Sequence, residues 1–469
     1  MEHFQGNRTT ETREWWRAPF AGATAGDAPR PVAAQSSKLS FWALVAFTLI
    51  LILAPQDHIY ALRPLHLALV SAVVAGGMYL LDRFRYGADS ATRNSGFTWA
   101  AALAAWAIIT VPFSLWPGGS VNVITGIFLR ALIIFWLLGH VVDTSARLKI
   151  IAWTLSLSSV FLSLSAVKTF FTAGGFQNQA LSHGWERTIG YQGGLTSNPN
   201  DLALILCLIL SLTIGLAFCT RRSALRIALY IMSLLDVIAI MTTYSRGGFL
   251  MLATILLAYA VCLWRRGNHG VVIAFLALVI VAIPMLPGGY THRLQTIGAI
   301  HEDKTHSAQQ RWRDMKDAAR YSLHHPVIGV GIGMSQLKLN EIRGPTWRKV
   351  HDVYLQYSMD LGWPGLILFL LLLYGALKDC RRACKVAARQ AGEGDLYFLA
   401  QAIGISLAGF AVAAVFYPNA YSFDFFYFAG LAIAAKTISS RVAMRSEPDR
   451  DFELENTRAW PLRIKKTSE

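Results

Sequence analysis

Charge is scarce in this chain. Only 15% of its 469 residues are Asp, Glu, Lys or Arg, where a soluble protein of this length carries roughly 25%. Cysteine is scarce too, and its count of five is odd. Cys207, Cys219 and Cys262 fall in apolar stretches, and Cys380 and Cys384 in a basic loop. That distribution argues against a disulfide framework, and Cys380-x-x-x-Cys384 without a partner pair makes a poor zinc site. No Asp/Glu cluster suggests a metal, so neither metal nor cofactor is expected. The first 38 residues are polar and hold no short apolar core with a cleavage site, which argues against a cleavable signal peptide. Walker loop, internal repeat and low-complexity tract are all missing. Gly329-Val-Gly331-Ile-Gly333 is not the dinucleotide fingerprint, because it follows a helical pattern rather than a strand and reads as a turn.

What is abundant is apolar sequence, 54% of the chain. Apolar stretches recur at about 39–55, 64–81, 98–116, 121–142, 148–168, 199–219, 224–243, 247–264, 270–287, 361–378, 396–416 and 419–438. They are long and unalternating, so they read as membrane helices rather than barrel strands. The expected fold is all-α: a polytopic membrane protein of about twelve transmembrane helices with a large outer loop subdomain. Residues 1–38 form an N-terminal tail, 39–287 hold helices one to nine, 288–360 the loop subdomain, 361–438 the last three helices, and 439–469 a C-terminal tail.

Formal net charge is +15, but the basic residues sit in short loops between apolar stretches, where they set topology rather than bind nucleic acid. With the N-terminus inside, short inner loops carry fifteen Lys and Arg, from Arg83 to Arg389; short outer loops carry only Arg63, Arg187 and Arg246. The positive-inside rule then puts both termini in the cytoplasm and residues 288–360 outside.

Three outer segments carry candidate chemistry. In the first, Arg187-Thr-Ile-Gly190 precedes Thr196-Ser197-Asn198-Pro199-Asn200-Asp201. Asn198 and Asn200 can simply cap a helix, or its free N–H groups can favour an anion, a reading that Arg187 strengthens. In the second, Thr242-Thr243-Tyr244-Ser245-Arg246-Gly247-Gly248 is a tight break holding Arg246 at the boundary, as an anion ligand or as a snorkelling residue. The third is His351-Asp352-Val353-Tyr354-Leu355, beside basic Arg348-Lys349. Asp352 can cap the following helix or hydrogen-bond the imidazole. Within 288–360, Ser307 can cap a helix whose Ala308, Trp312, Met315, Ala319 and Leu323 share one face. Arg311, Arg313, Lys316 and Arg320 occupy much of the rest; the helix either lies on the membrane surface or lends arginines to a glycolipid phosphate. Arg130 and Asp236 fall inside apolar stretches, where charges pair or line a cavity. They can pair with each other, or Arg130 can contact phosphate. Two arginines and a histidine at one water–lipid boundary suit an anionic, lipid-linked substrate.

In order and topology these segments resemble the O-antigen ligase family: Arg-x-x-Gly with Asn-Pro-Asn-Asp-Leu-Ala, then Ser-Arg-Gly-Gly, then His325-Pro326-Val327-Ile328-Gly329-Val330-Gly331, then His351-x-x-Tyr354-Leu355 with Gly362. The resemblance runs from about 110 to about 375. One departure is Asp352, where the family commonly has Asn. The resemblance implies a metal-independent glycosyltransferase of the bacterial inner membrane, working on the periplasmic face. Its donor would be a glycan on undecaprenyl pyrophosphate, and its acceptor lipid A core or another glycan. Arg187 and Arg246 would clamp the diphosphate and His351 would be the base. Arg130, Asn198, Asn200, Arg311, Arg348 and Tyr354 would line the substrate site. An O-antigen or exopolysaccharide polymerase, or a protein O-glycan ligase, would need the same donor site. A transporter is the reading from another class, but it needs a charged path and shows no inverted repeat.

Overall fold

The computed structural model describes residues 36–86, 94–172, 196, 198–273, 277, 307–344 and 347–446. Among these residues there is no β-strand. The longer helices are α1 (Lys38–Leu53), α2 (Leu67–Tyr86), α3 (Ser95–Ile109), α4 (Pro117–Val141, with a π-turn at Ile124–Phe128), α5 (Ser145–Thr172), α6 (Pro199–Cys219) and α7 (Ser223–Thr242). Then come α8 (Arg246–Arg265), α9 (Ser307–His324), α10 (Ser335–Arg343), α11 (Val353–Ala387), α12 (Gly394–Ala413) and α13 (Phe423–Ser446). Eight helical stretches among the described residues are long and apolar enough to cross a membrane: α4 to α8, α11, α2 with the turn before it, and α12 with the turn after it. Two shorter apolar helices, α1 and α3, accompany them.

The apolar patterning explains the layering. α6 is apolar on all sides and almost wholly buried, which is how a helix in the middle of a bundle reads. It packs on α5, α7, α8 and α12, while α11, α13 and α4 form the adjoining layer. α2 lies at the margin against α1 and keeps Leu69, Val73 and Phe84 exposed. Hydrogen bonds cross the buried layers: Ser211 Oγ donates to the Ala402 carbonyl and Ser406 Oγ to the Leu208 carbonyl, both at 2.8 Å. Such bonds between membrane helices contribute about 0.6 kcal/mol each on average, so close side-chain packing carries most of the association.

The two ends of the bundle differ in character. At one end, Arg147 contacts Asp143 at 3.1 Å and the Ser36 carbonyl at 2.8 Å. There too Lys149 pairs with Asp395 at 2.7 Å, Lys436 with Asp379 at 3.1 Å, and Arg266 donates to Gln401 at 2.7 Å. Arg246 starts α8 and Arg265 ends it, so Arg246 belongs to the opposite end, about 30 Å away at 1.5 Å per residue.

Three expectations change. α11 runs from Val353 to Ala387 rather than over 361–378, so Cys380 and Cys384 lie in a helix and not in a loop, with Cys380 buried. Asp236 does not pair with Arg130. Its carboxylate accepts from Ser159 at 3.0 Å and Ser163 at 2.7 Å, because α7 packs on α5 and α6. Arg130 is exposed beside the equally exposed Leu129 and Ile133. In α9 the face turned inward carries Asp314, Ala318 and Ser322, whereas Trp312 and Leu323 of the apolar stripe point outward. The ninth apolar stretch, 270–287, lies largely outside the described residues.

One local device fixes the segment before α11 to the bundle. Gly362 interrupts α11 with φ +70°. An unbroken helix would have Trp363 donate to the Met359 carbonyl, and Pro364 has no N–H to offer Asp360. Instead Trp363 N donates to the Pro326 carbonyl at 2.7 Å. The freed carbonyls of Met359 and Asp360 accept from Val330 N and Gly331 N, each at 2.9 Å. On the far side of this extended piece, Leu115 N donates to the Val330 carbonyl at 2.8 Å. The Asp360 carboxylate, fully buried, accepts from Gly333 N at 3.0 Å, Ser335 N at 2.8 Å and the Tyr421 hydroxyl at 3.1 Å. A side chain cannot fit here: a Cβ on Gly329 would stand 2.3 Å from the Met359 carbonyl oxygen. The glycine run is thus a turn-rich splice seated in a helix break.

Candidate active site

Three helices begin at the same end of the bundle, each with a side-chain cap. Asn198 Oδ1 accepts from Asn200 N at 2.9 Å to start α6. Ser245 Oγ accepts from Gly248 N at 3.2 Å to start α8. Asp352 Oδ1 accepts from Leu355 N at 2.9 Å to start α11. Uncapped N–H groups and the dipole make such ends favourable to anions. Asp352 is therefore the helix cap, not the partner of the imidazole.

Hydrogen bonds between these starts tie them together. Ser245 Oγ donates to Asn200 Oδ1 at 3.0 Å and stands 3.4 Å from the Tyr417 hydroxyl. Asn419 Nδ2 donates to Asp201 Oδ1 at 3.0 Å, and Ala420 N to Gln356 Oε1 at 3.3 Å. The Tyr354 hydroxyl donates to the Ala411 carbonyl at 2.7 Å, so it braces α11 against α12. Lys349, two residues before His351, interacts electrostatically with Asp201. Segments 198–201, 245–248, 349–356 and 417–420 are thereby one neighbourhood. Arg246 is half-buried within it.

His351 is half-buried, and its Nδ1 lies 2.9 Å from the Lys349 carbonyl. A carbonyl only accepts, so Nδ1 carries the hydrogen and Nε2 keeps its lone pair free for another group. Burial lowers the imidazole pKa to about 4, with Arg311 adding to the effect, and Lys349 and Arg348 to a smaller degree. Titration near neutral pH, the usual histidine behaviour, is overturned here by burial first and by the surrounding cations second. The ring is neutral at physiological pH. Asp352 moves the other way: burial raises its carboxyl to about 6, against the bonds from Leu355 and Tyr354.

The structure thus brings Asn198, Asn200, Arg246, His351 and Tyr354 together, with Arg311 of α9 and Arg348 of the segment before α11 acting on the imidazole. Arg130 is exposed on α4. Arg187 lies outside the described residues. Sequence reasoning passed over Tyr417 and Asn419. Their signal was a polar Tyr-Pro-Asn between two apolar stretches, at an end where a loop needs no asparagine for packing. Asp201 and Lys349 stood inside quoted segments without a role.

Fold and site together define a polytopic helical membrane protein with a polar, cation-rich site where helix N-termini meet. Residues 231–370 match the family described as O-antigen ligase. Residues 32–198 match a second family, described as one of unknown function. No curated protein matches the chain.

Proposed function

We propose that the protein transfers a glycan from undecaprenyl pyrophosphate to the lipid A core oligosaccharide, on the periplasmic face of the bacterial inner membrane. In this reading twelve helices span the membrane, both ends are cytoplasmic, and residues 288–360 are the periplasmic subdomain. The observation that carries it is the Ser245–Asn200 bond joining the two helix starts that hold Arg246 and the Asn-Pro-Asn segment, with Lys349 and His351 beside them.

The chemistry follows from the groups present. The acceptor hydroxyl attacks the anomeric carbon, the bond from that carbon to the diphosphate oxygen breaks, and the electron pair leaves with the diphosphate. Arg246 and Arg187 neutralise the charge that develops on it, since a guanidinium forks onto phosphate oxygens and stays ionised. The hydroxyl proton goes to Nε2 of His351. With a pKa near 4 the free imidazole is a weak base. A bound diphosphate offsets only the part of that lowering that nearby Arg311 causes; burial, the larger part, remains. Asn198 and Asn200 orient the two helix ends, and Tyr354 fixes the segment that carries His351. The transfer is metal-independent, as the family resemblance implies.

The test is the glycan and lipid content of a deletion strain. Long carrier-linked chains with bare core are expected. Core bearing a single repeat would instead identify a polymerase acting on the same donor, and unchanged glycolipids with altered solute uptake would overturn the reading altogether.

A further inference from the structure

A second cationic site lies outside the helix-start neighbourhood. Arg313, Lys316 and Arg320 follow one another at three- and four-residue spacing along α9, so they share a face. Arg348 approaches from the segment that leads to His351, and together they line a cleft of about 500 Å³. That volume falls in the range of roughly 300–1,000 Å³ typical of small-ligand clefts. The cleft also contains two aspartates, each with one oxygen paired to Arg343. Arg343 pairs with Asp314 and, at 2.7 Å, with Asp317, and it donates to the Arg313 carbonyl at 3.0 Å. Arg313, Lys316, Arg320 and Arg348 have no carboxylate partner among the described residues. The crowding is felt: burial and then the charges of Arg348 and Arg313 lower the pKa of Arg343. Like charges held together in a cleft have an unmet need for an anion.

We propose that this cleft binds the phosphate groups of a phosphorylated acceptor oligosaccharide and so delivers its hydroxyl to His351. The proposal rests on the reading of the protein as a glycosyltransferase. It goes beyond that reading in naming a separate acceptor subsite and its chemistry. Placement assigns the cleft to the acceptor rather than the donor. Arg348 lines the cleft, is three residues from His351 and acts on its imidazole, whereas on the proposed reading the donor diphosphate belongs with Arg246 at the start of α8. Arginine forks suit phosphomonoesters, and Arg343, pinned by its two aspartates, shapes the cleft without being free to clamp.

The experiment uses full-length protein in nanodiscs of neutral lipid. The probe is a short oligosaccharide bearing two phosphomonoesters, compared with the same oligosaccharide after phosphatase treatment. The phosphorylated probe should bind at least about tenfold more tightly, and Arg313→Gln with Arg320→Gln should erase that difference, since each lost charge-assisted bond corresponds to about tenfold or more. Arg313 and Arg320 are exposed, so both variants should fold, which circular dichroism checks. Arg381→Gln, at the exposed basic stretch of α11, should change nothing. Equal binding of the two probes, or unaltered binding by the double variant, overturns the proposal. So does a phosphate preference that disappears in nanodiscs containing anionic lipid and that the double variant restores there, since that assigns the arginines to membrane headgroups. If the phosphate preference holds but no glycan is ever transferred, the glycosyltransferase reading fails and the binding site stands. If transfer proceeds with no phosphate preference, the site fails and the transferase stands.

Discussion

The Ser245 hydroxyl donates to the Asn200 side chain at 3.0 Å while its oxygen accepts from Gly248 N at 3.2 Å. One serine therefore caps α8 and pins it to the start of α6. Removing the hydroxyl costs the cap, about 1 kcal/mol, and frees Arg246 to shift relative to Asn200. Ser245→Ala should lower transferase turnover about tenfold, the equivalent of about 1.4 kcal/mol in the barrier. Asn200→Ala should do the same, and the double variant should be little worse than either single, because the two act through one contact. Turnover measured with saturating donor tests this. Fully additive losses would mean that the bond does not position the arginine.

The Gly329 splice predicts a stability effect rather than a catalytic one. A methyl group at Gly329 would collide with backbone of α11, 2.3 Å from the Met359 carbonyl oxygen, and backbone cannot rotate away as a side chain can. Gly329→Ala should cost at least about 1–3 kcal/mol, as overpacking does. Thermal unfolding in detergent should show a clearly lower midpoint. A midpoint equal to that of the native protein would show that the close approach of the two segments is not maintained.

Much of the bundle was legible because apolar length is a strong signal. The start of α6 was readable from Asn198-Pro199, where capping chemistry is local, and the break before α8 from Gly247-Gly248, though not the Ser245 cap. What stayed hidden depended on tertiary context. Trp312 and Leu323 lie on one stripe of α9, and the structure turns that stripe outward because Asp314 is engaged by Arg343 and Ser322 by Ser358, at 3.1 Å for the serine pair. Asp236 looked like a charge in search of Arg130, yet Ser159 and Ser163, two ordinary helix residues, satisfy it. The role of the glycine run likewise depends on Pro364, some 30 positions away in the chain, freeing a carbonyl that only folding brings to Gly331.

Asp352 occupies a position where the resembling family commonly carries Asn, and its environment says what the difference does. Its folded pKa is near 6, raised by burial from an ordinary value near 4. The native state therefore holds the proton more tightly than the unfolded chain does. Its contribution to stability is complete below about pH 4 and is lost as the pH rises through about 6. Asp352→Asn keeps a good cap without the buried charge. Relative to the native protein, the variant should gain on the order of 1–3 kcal/mol between pH 4 and pH 6, and hold that gain above it. Unfolding midpoints of both proteins across pH 4–8 measure the difference. A constant difference at every pH would show that the carboxyl does not titrate in that window.

His351 gives the sharpest prediction, because its setting fixes both its tautomer and its charge. The Lys349 carbonyl holds the hydrogen on Nδ1, and burial with Arg311 keeps the ring neutral above about pH 4. His351→Ala should therefore lower turnover by about 10²–10⁴-fold, the usual worth of a general base, while donor binding stays near native. The pH dependence separates this role from a structural one. In the free protein the base is lost only as the pH falls through about 4, so kcat/KM should stay flat down to pH 5 instead of dropping near 6.5. On the proposed reading the donor diphosphate offsets the arginines' smaller share of this lowering, so the acid limb of kcat should lie at a slightly higher pH than that of kcat/KM. Both limbs should vanish in His351→Gln, whose side chain cannot titrate. Near-native rates in His351→Ala and His351→Gln would remove the imidazole from the chemistry. Acid limbs that persist in His351→Gln would assign them to another group.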